Sequence, residues 1–415
     1  MRPWLLIAVL ALGGCGSLDE DLAIDPGELP RENLLPPEYG ELFPYYVELL
    51  AGSQIRARDG QAGGTAGHMV LYLHGAERDP EARYPQLRVC PEERAGVTGV
   101  GVSANRWFRN VNWVGVPDRE FFLHGALARG ERVDQEAIDT AAAEAIERGI
   151  YEGVEVRDDY PADGPRSLED FVRRQSLGTD FALTFARSAF GVRVPVTRDQ
   201  MREITVFLND LNRQYYEDGV DYEWSGLRDN CAHLVHNALA SAGFWEPKTA
   251  GHFKSDLALP ANEFLTLLDR VAEFPIDDHE AIRDDPVAHD ALLQFGWLPR
   301  THGALLTTID VHADNEAFDP TFRLFLLETS EVRHQEELVR EDHLLDLRRN
   351  LDWFRTRYRE MLAARPADRG AALQGDRDRM FRRRYYAYLE EMLAHVEERI
   401  LILERQEMRV RSGAR

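Results

Sequence analysis

Cys231 is the residue whose type and position most directly indicate chemistry. It stands in the segment RDNCAHLVHNALASAGF, residues 228–244. Beyond it, apolar side chains follow one stripe at helical spacing: Leu234, Val235, Ala238, Leu239 and Ala242. Asp229 or Asn230 is then the N-cap of the predicted helix. A thiol in the first turn lies beside unpaired N–H groups and the positive end of the helix dipole, which favour a thiolate, so the position indicates a nucleophile.

A nucleophilic thiol needs a base, and the helix itself supplies none in a good position. His233 and His236 lie two and five residues after Cys231, off its helical face. His68 is the best candidate, because it opens the alternating stretch GHMVLYLHG directly after a glycine-rich segment that lets another backbone or a substrate approach. A cysteine at a helix start facing a strand histidine is an arrangement that activates a thiol for attack on a carbonyl carbon.

Two other roles are open for Cys231. In an oxidising compartment it could form a disulfide with Cys90. Together with His233 and His236 it also offers a C-x-H-x-x-H set of metal ligands, although this spacing matches no strong zinc pattern. We therefore expect no metal and no cofactor.

The N-terminus predicts export and lipid attachment. The first fifteen residues, MRPWLLIAVLALGGC, combine one basic residue with an apolar run of the length of a signal-peptide core. Their end resembles the bacterial lipobox, which implies cleavage before Cys15 and a lipid-anchored protein, and Gly16 favours the outer membrane facing the periplasm. Residues 16–37 are acidic and proline-rich, as expected of a tether.

The rest of the chain divides into two regions. Residues 38–330 mix strand-like and helix-like stretches without regular alternation, which favours an α+β fold with an antiparallel sheet packed on helices. One of these stretches, TRDQMREITVFLNDLNRQYYE, predicts a helix with Thr197 as its N-cap. Residues 331–415 carry apolar side chains every three or four positions in two long runs, separated by the Pro- and Gly-containing segment AARPADRGAALQGD. This pattern predicts a C-terminal α-helical hairpin.

Two motif regions resemble the Lnb N-terminal periplasmic domain family: GHMVLYL, and the stretch from VTRDQMREITVF through YEWSGLRDNCAHLVHNALASAG. That family is related to the NlpC/P60 and lecithin:retinol acyltransferase-like thiol enzymes, in the permuted order with His before Cys. The resemblance implies a papain-like fold in which Cys231 is the nucleophile, His68 its base, and Asn230 a neighbour of the thiol that helps the oxyanion. It does not identify the third, orienting group; Ser103, Asn105, His74 and His302 remain open. We expect His302 to lie on a late strand, predicted over HGALLTTIDVHA.

The resemblance also implies a function in the bacterial envelope. Lipoprotein N-acyltransferases move an acyl chain from a phospholipid to an amino group, so the expected substrates are phospholipid and lipoprotein. The membrane acyltransferases of the family carry transmembrane helices after this domain, whereas this chain has a charged hairpin. An NlpC/P60-type enzyme acting on peptidoglycan peptides is the alternative, and a non-enzymatic envelope scaffold is a second one.

Composition limits the partners further. The 415 residues are 44% hydrophobic, enough for a substantial core, and carry a formal net charge of -23. Nucleic acid needs a basic surface, so we expect no nucleic-acid partner.

Overall fold

The computed structural model describes twelve ranges of the chain: residues 21–23, 39–52, 68–125, 135–157, 167–175, 189–226, 229–248, 260–274, 279–309, 323–325, 342–365 and 375–413. The predicted signal peptide and Cys15 lie outside these ranges. Within them, no helix has the length and apolar character that crossing a bilayer requires.

A six-stranded antiparallel sheet is the centre of the fold, with strand order β7-β6-β3-β2-β8-β9. Two further antiparallel pairs, β4-β5 and β1-β10, lie outside it. The strands are β1 (Asp21–Ala23), β2 (Tyr46–Gly52), β3 (His68–His74), β4 (Ala76–Arg78), β5 (Leu87–Val89), β6 (Gly99–Ala104), β7 (Trp113–Pro117), β8 (Ala189–Pro195), β9 (Leu305–Ile309) and β10 (Arg323–Phe325). The prediction of an α+β fold with an antiparallel sheet is confirmed. Strand β1 lies inside the segment expected to be a tether.

Helices cover both faces of the sheet. In chain order they are α1 (Tyr39–Leu42), α2 (Glu92–Ala95), α3 (Arg119–His124), α4 (Gln135–Glu147), α5 (Leu168–Gln175), α6 (Arg198–Tyr216), α7 (Cys231–Ser241), α8 (Pro260–Glu273), α9 (His279–Asp284), α10 (Pro286–Gln294), α11 (Asp342–Leu345), α12 (Leu347–Ala363) and α13 (Gly375–Arg411). Helix α6 begins at the predicted cap Thr197, whose hydroxyl accepts the Gln200 N–H while the Gln200 side chain accepts the Thr197 N–H.

Strand β3 is buried on both faces, and its alternation separates two apolar cores. Met69, Leu71 and Leu73 point into a core that also holds the apolar side of α7 and α8. Val70 and Tyr72 point into the other core, which is completed by α12 and α13. Successive residues of β3 therefore face opposite cores, and whether a residue number is odd or even decides which core its side chain faces.

The C-terminal helices form the predicted antiparallel hairpin and share a core with the sheet. Arg348 near the start of α12 pairs with Glu407 near the end of α13, and Arg365 just beyond the end of α12 pairs with Glu390. Asn350 bonds through its amide to the backbone of Gly303 and Ala304, just before β9. The hairpin is therefore packed on the sheet through buried contacts as well as through its own pairing.

Candidate active site

Asn230, and not Asp229, is the N-cap of α7. Its side-chain oxygen accepts the N–H groups of Ala232 at 2.9 Å and His233 at 3.2 Å, and its amide nitrogen donates to the Gly226 carbonyl at 2.9 Å. These bonds satisfy donors that every helix start leaves open. The cap places Cys231 as the first residue of the helix, as predicted.

Cys231 is partly exposed and packs against the core that contains Met69 and Leu71. Neither Cys231 nor Cys90 is in a disulfide, so the bond between them that the sequence left open does not form. The two thiols differ in environment: Cys90 is fully buried, and burial raises its pKa to about 11. Cys231 is therefore the more accessible of the two sulfurs.

His68 is the first residue of β3, and its ring is fixed by a neighbouring strand. Its Nε2 atom lies 2.9 Å from the hydroxyl oxygen of Ser103 on β6, inside the protein. Among the four residues that remained open for the orienting role, Ser103 is the one with a hydrogen bond to His68. That bond selects the orientation of the imidazole and directs Nδ1 away from Ser103.

The other three candidates have different partners. Asn105 turns its side-chain oxygen to the Trp107 N–H at 2.9 Å. His74 lies at the opposite end of β3, stacked on Tyr46. The prediction that His302 lies on a strand is wrong. His302 lies in the turn before β9, where its ring bonds to Tyr358 and His395.

The start of α7 lies at the same end of the sheet as His68. Because β6 is antiparallel to β3, the loop that follows Ala104 emerges beside the first residue of β3. In that loop the Arg109 carbonyl accepts the N–H of Tyr222, whose ring packs on Tyr215 at 5.2 Å. The Asp229 carboxyl in turn acts electrostatically on Tyr215.

His68 and Cys231 are associated with opposite faces of the sheet. His68 has the parity of Val70 and Tyr72, whereas Cys231 packs on the face with Met69 and Leu71. An imidazole on the first residue of the strand must therefore reach the sulfur around the end of the sheet. Contact between the His68 ring and the Cys231 sulfur stays a prediction.

Asp229 is a titratable group that sequence reasoning considered only as a cap. Burial raises its pKa from 3.8 to about 6, two residues before the thiol. Its backbone is held by a two-way bridge to Ser225, with N–H···O distances of 2.8 and 2.9 Å. No sequence signal distinguished this partly buried carboxyl from an exposed one, because its environment comes from distant residues such as Tyr215.

The two helix histidines occupy structural positions. His236 uses both ring nitrogens, with Nδ1 2.6 Å from a carboxylate oxygen of Glu263 and Nε2 2.9 Å from the Glu246 carbonyl. His233 contacts the Asn230 side chain through Nδ1, and burial lowers its pKa to about 4. In the described part of the chain, no three His, Cys, Asp or Glu side chains are grouped as a metal site would require.

Comparisons of the chain with protein-family models, with curated proteins and with solved structures find no match. The resemblance to the Lnb N-terminal domain therefore rests on the two motif regions of the sequence.

Proposed function

We propose that this protein is a lipid-anchored, cysteine-dependent acyl-transfer enzyme of the bacterial envelope, with Cys231 as nucleophile and His68 as base, in a papain-like fold of the permuted type. The observation that carries the proposal is the position of Cys231. It is a partly exposed thiol on the first residue of a capped helix, at the end of an antiparallel sheet where His68 is hydrogen-bonded to Ser103. The dipole of α7 stabilises negative charge on the sulfur at this position.

The reaction would proceed in two acyl transfers. The thiolate attacks the carbonyl carbon of an ester or amide, forming a C–S bond, and the tetrahedral oxyanion collapses as the bond to the leaving group breaks. The protonated His68 gives its proton to the leaving oxygen or nitrogen. His68 then removes a proton from the incoming amine or water, which attacks the thioester carbonyl and releases the thiolate.

The capping bonds restrict which groups can stabilise the oxyanion. The N–H groups of Ala232 and His233 already donate to Asn230. The N–H of Cys231 itself and the amide nitrogen of Asn230 are the donors closest to the sulfur along the chain. In this proposal Asn230 positions the thiol by capping. One hydrogen of its amide bonds to the Gly226 carbonyl, and the second contributes to the oxyanion site.

The substrate class follows from the predicted location of the protein. A lipid on Cys15 would hold the thiol near phospholipid acyl esters and lipoprotein amino groups, and a lipoprotein N-acyltransferase-like reaction uses both. The alternative substrate is a peptidoglycan peptide, whose amide would react by the same two steps with water as acceptor.

Intact-protein mass spectrometry after incubation with phosphatidylethanolamine vesicles, or separately with muropeptides, tests the proposal. We expect a mass increase of one acyl group in the wild type that hydroxylamine removes, as it does from thioesters, and none in Cys231→Ser. Cys90→Ala is the matched control, because it removes the buried thiol and should keep the adduct. An adduct from muropeptides alone would assign the peptidase alternative.

A second pair of variants tests the base. His68→Gln should slow acylation strongly, whereas His233→Gln should not, since His233 is held by the Asn230 cap. Circular dichroism checks that each variant is folded. Equal acylation of wild type and His68→Gln would refute the assigned base. No adduct with either substrate class would favour the non-enzymatic scaffold. That alternative is also supported by the position of His68, which has the parity of the sheet face opposite to the one on which Cys231 packs.

A further inference from the structure

Two histidines bond to each other where the C-terminal hairpin packs on the sheet. The Nε2 atom of His302, in the turn before β9, lies 2.7 Å from the Nδ1 atom of His395 on α13. The other ring nitrogen of His302 lies 3.2 Å from the hydroxyl oxygen of Tyr358 on α12. His302 is fully buried, whereas His395 is partly exposed and gives protons a route to the pair. These contacts join the sheet to both helices of the hairpin.

One proton lies between the two rings when both are neutral. A hydrogen bond between two imidazole nitrogens needs one N–H donor and one lone pair, and the Tyr358 hydroxyl can donate or accept to suit either tautomer of His302. A first added proton can be held on His302, which then donates to both Tyr358 and His395. A second added proton sets two N–H groups against each other and breaks the bond. The contact therefore depends on how many protons the pair holds.

The charges around the pair oppose even the first added proton. Arg300 and Arg399 act electrostatically on both rings. Each arginine has its own carboxylate: Glu391 lies 3.9 Å from Arg300, and Glu398 lies 2.6 Å from Arg399. In the described part of the chain, no carboxylate pairs with either imidazole. A positive charge on the pair would therefore be buried beside two cations without compensation, which is costly.

The other groups around the pair are aromatic or neutral. Phe354 lies 6.3 Å from His302 between ring centroids, and Phe43 lies 6.3 Å from His395. Burial raises the pKa of Tyr358 well above its usual range, so its hydroxyl stays neutral. The other titratable side chains nearby are Tyr39, which bonds to the Gly303 carbonyl, His343, which contacts the other ring neighbours through Phe354, and Tyr385 and Tyr388 on α13. None of these side chains supplies a negative charge at neutral pH.

Acid therefore acts on the contact between hairpin and sheet. Burial and the two arginines lower the pKa of His395 from 6.5 to about 3. Burial, the neighbouring His395 and the arginines lower the pKa of His302 well below 6.5. When the hairpin opens, both rings return to the ordinary value, so below pH 6.5 the open state binds more protons than the closed state. The closed state then loses stability as the pH falls, and each histidine raises the opening equilibrium about tenfold per pH unit.

We propose that His302 and His395 form a pH-sensitive latch: mild acidification opens the α12–α13 hairpin together with β9, while the central strands of the sheet stay folded. Strand β9 is at the edge of the six-stranded sheet and pairs only with β8. It opens with the hairpin because Asn350 on α12 bonds to Gly303 and Ala304, just before β9. Opening exposes the apolar sides of α12 and α13, which complete one of the two cores at neutral pH.

Hydrogen exchange by mass spectrometry on the full chain, from about pH 7 to about pH 4.5, tests the latch after correction for the intrinsic pH dependence of amide exchange. We expect the protection of α12, α13 and β9 to fall about a hundredfold per pH unit below pH 6.5, with β2 and β3 still protected. His395→Gln keeps a hydrogen-bonding partner for His302 but does not titrate, so it should reduce this slope to about tenfold per pH unit. His289→Gln is the matched control, because His289 also contacts α13, through Phe381, but has the Asp290 carboxylate 3.1 Å from its Nδ1 atom.

Three results would overturn the proposal: hairpin protection that does not change with pH, loss of protection in β2 and β3 at the same pH as in the hairpin, or an unchanged slope in His395→Gln. If His395→Gln does not fold, His302→Gln provides the same test, since it also removes one of the two titrating rings. The slope decides the outcome, so a uniform loss of stability in a variant does not obscure it. Cys231→Ser should keep the slope of the wild type, which separates the latch from the thiol chemistry.

Discussion

The His68 ring lies with its Nε2 atom 2.9 Å from the Ser103 hydroxyl oxygen, a contact between two strands that joins residues 35 positions apart. Both groups are buried, so the bond is protected from competition by water. In the proposed mechanism Ser103 is a positioning residue, which keeps the imidazole in one orientation while Nδ1 exchanges protons. This role can be separated from a purely structural one.

Ser103→Ala should reduce the acylation rate about three- to tenfold, since one neutral hydrogen bond contributes roughly 0.5–1.5 kcal/mol. Single-turnover kinetics across pH measure it, and the apparent pKa of the base should shift together with the rate. Ser103→Thr, which keeps the hydroxyl, should recover part of the loss. Thr140→Ala, whose hydroxyl bonds only to its own helix, is the control. An unchanged pH profile in Ser103→Ala would show that the bond does not orient a base.

Asn230→Ala should destabilise the protein by about 1–2 kcal/mol, because the N–H groups of Ala232 and His233 lose their acceptor at the start of α7. Asn230→Asp should retain most of the stability, since a carboxylate also accepts these bonds and is favoured at a helix N-terminus. Urea denaturation measures both. Thr197→Ala, at the cap of α6, provides a matched loss of a cap away from the thiol. A loss confined to Thr197→Ala would contradict the capping role of Asn230.

Asp229 makes the stability depend on pH. Its pKa is about 6 in the folded protein and 3.8 as the ordinary value, so between these values the folded state binds more protons than the unfolded state. The contribution of Asp229 to the free energy of unfolding is therefore largest below about pH 4 and falls as the pH rises towards 6. At about 1.4 kcal/mol for each pKa unit, the change is about 2–3 kcal/mol.

Asp229→Asn removes this titration. The difference in unfolding free energy between the variant and the wild type should grow as the pH rises from 4 to 7, measured by urea denaturation at several pH values. Asp221→Asn is a suitable control, because that carboxylate is about half exposed and pairs with Arg109. Parallel curves for wild type and Asp229→Asn would refute the raised pKa.

Asn350 connects the C-terminal hairpin to the sheet. Its amide donates to the carbonyls of Ala304 and His343 and accepts the Gly303 N–H, all in the interior. Asn350→Ala should cost about 2–4 kcal/mol, because buried backbone groups are left unsatisfied. The exposed Thr356→Ala should have little effect. Hydrogen exchange should show loss of protection in β9 as well as in α12; a change limited to α12 would mean that hairpin and sheet unfold independently.

The sequence by itself determined the features that depend on neighbours along the chain. The Thr197 cap of α6, the start of α7 at Cys231, the alternation over β3 and the two long C-terminal helices were all predicted correctly, because capping and periodicity act within a few residues. The start of β9 was placed too early, at His302. Local spacing does not show that this ring is needed for a buried contact with His395.

Only the tertiary structure decided which distant groups meet. It placed Ser103 against His68, kept Cys90 and Cys231 out of a disulfide, and partly buried the Asp229 carboxyl. Each of these depends on strand pairing and burial between segments far apart in the chain. Side-chain parity along a strand can be read from the sequence, but the core that each face joins is set only when helices pack on the sheet.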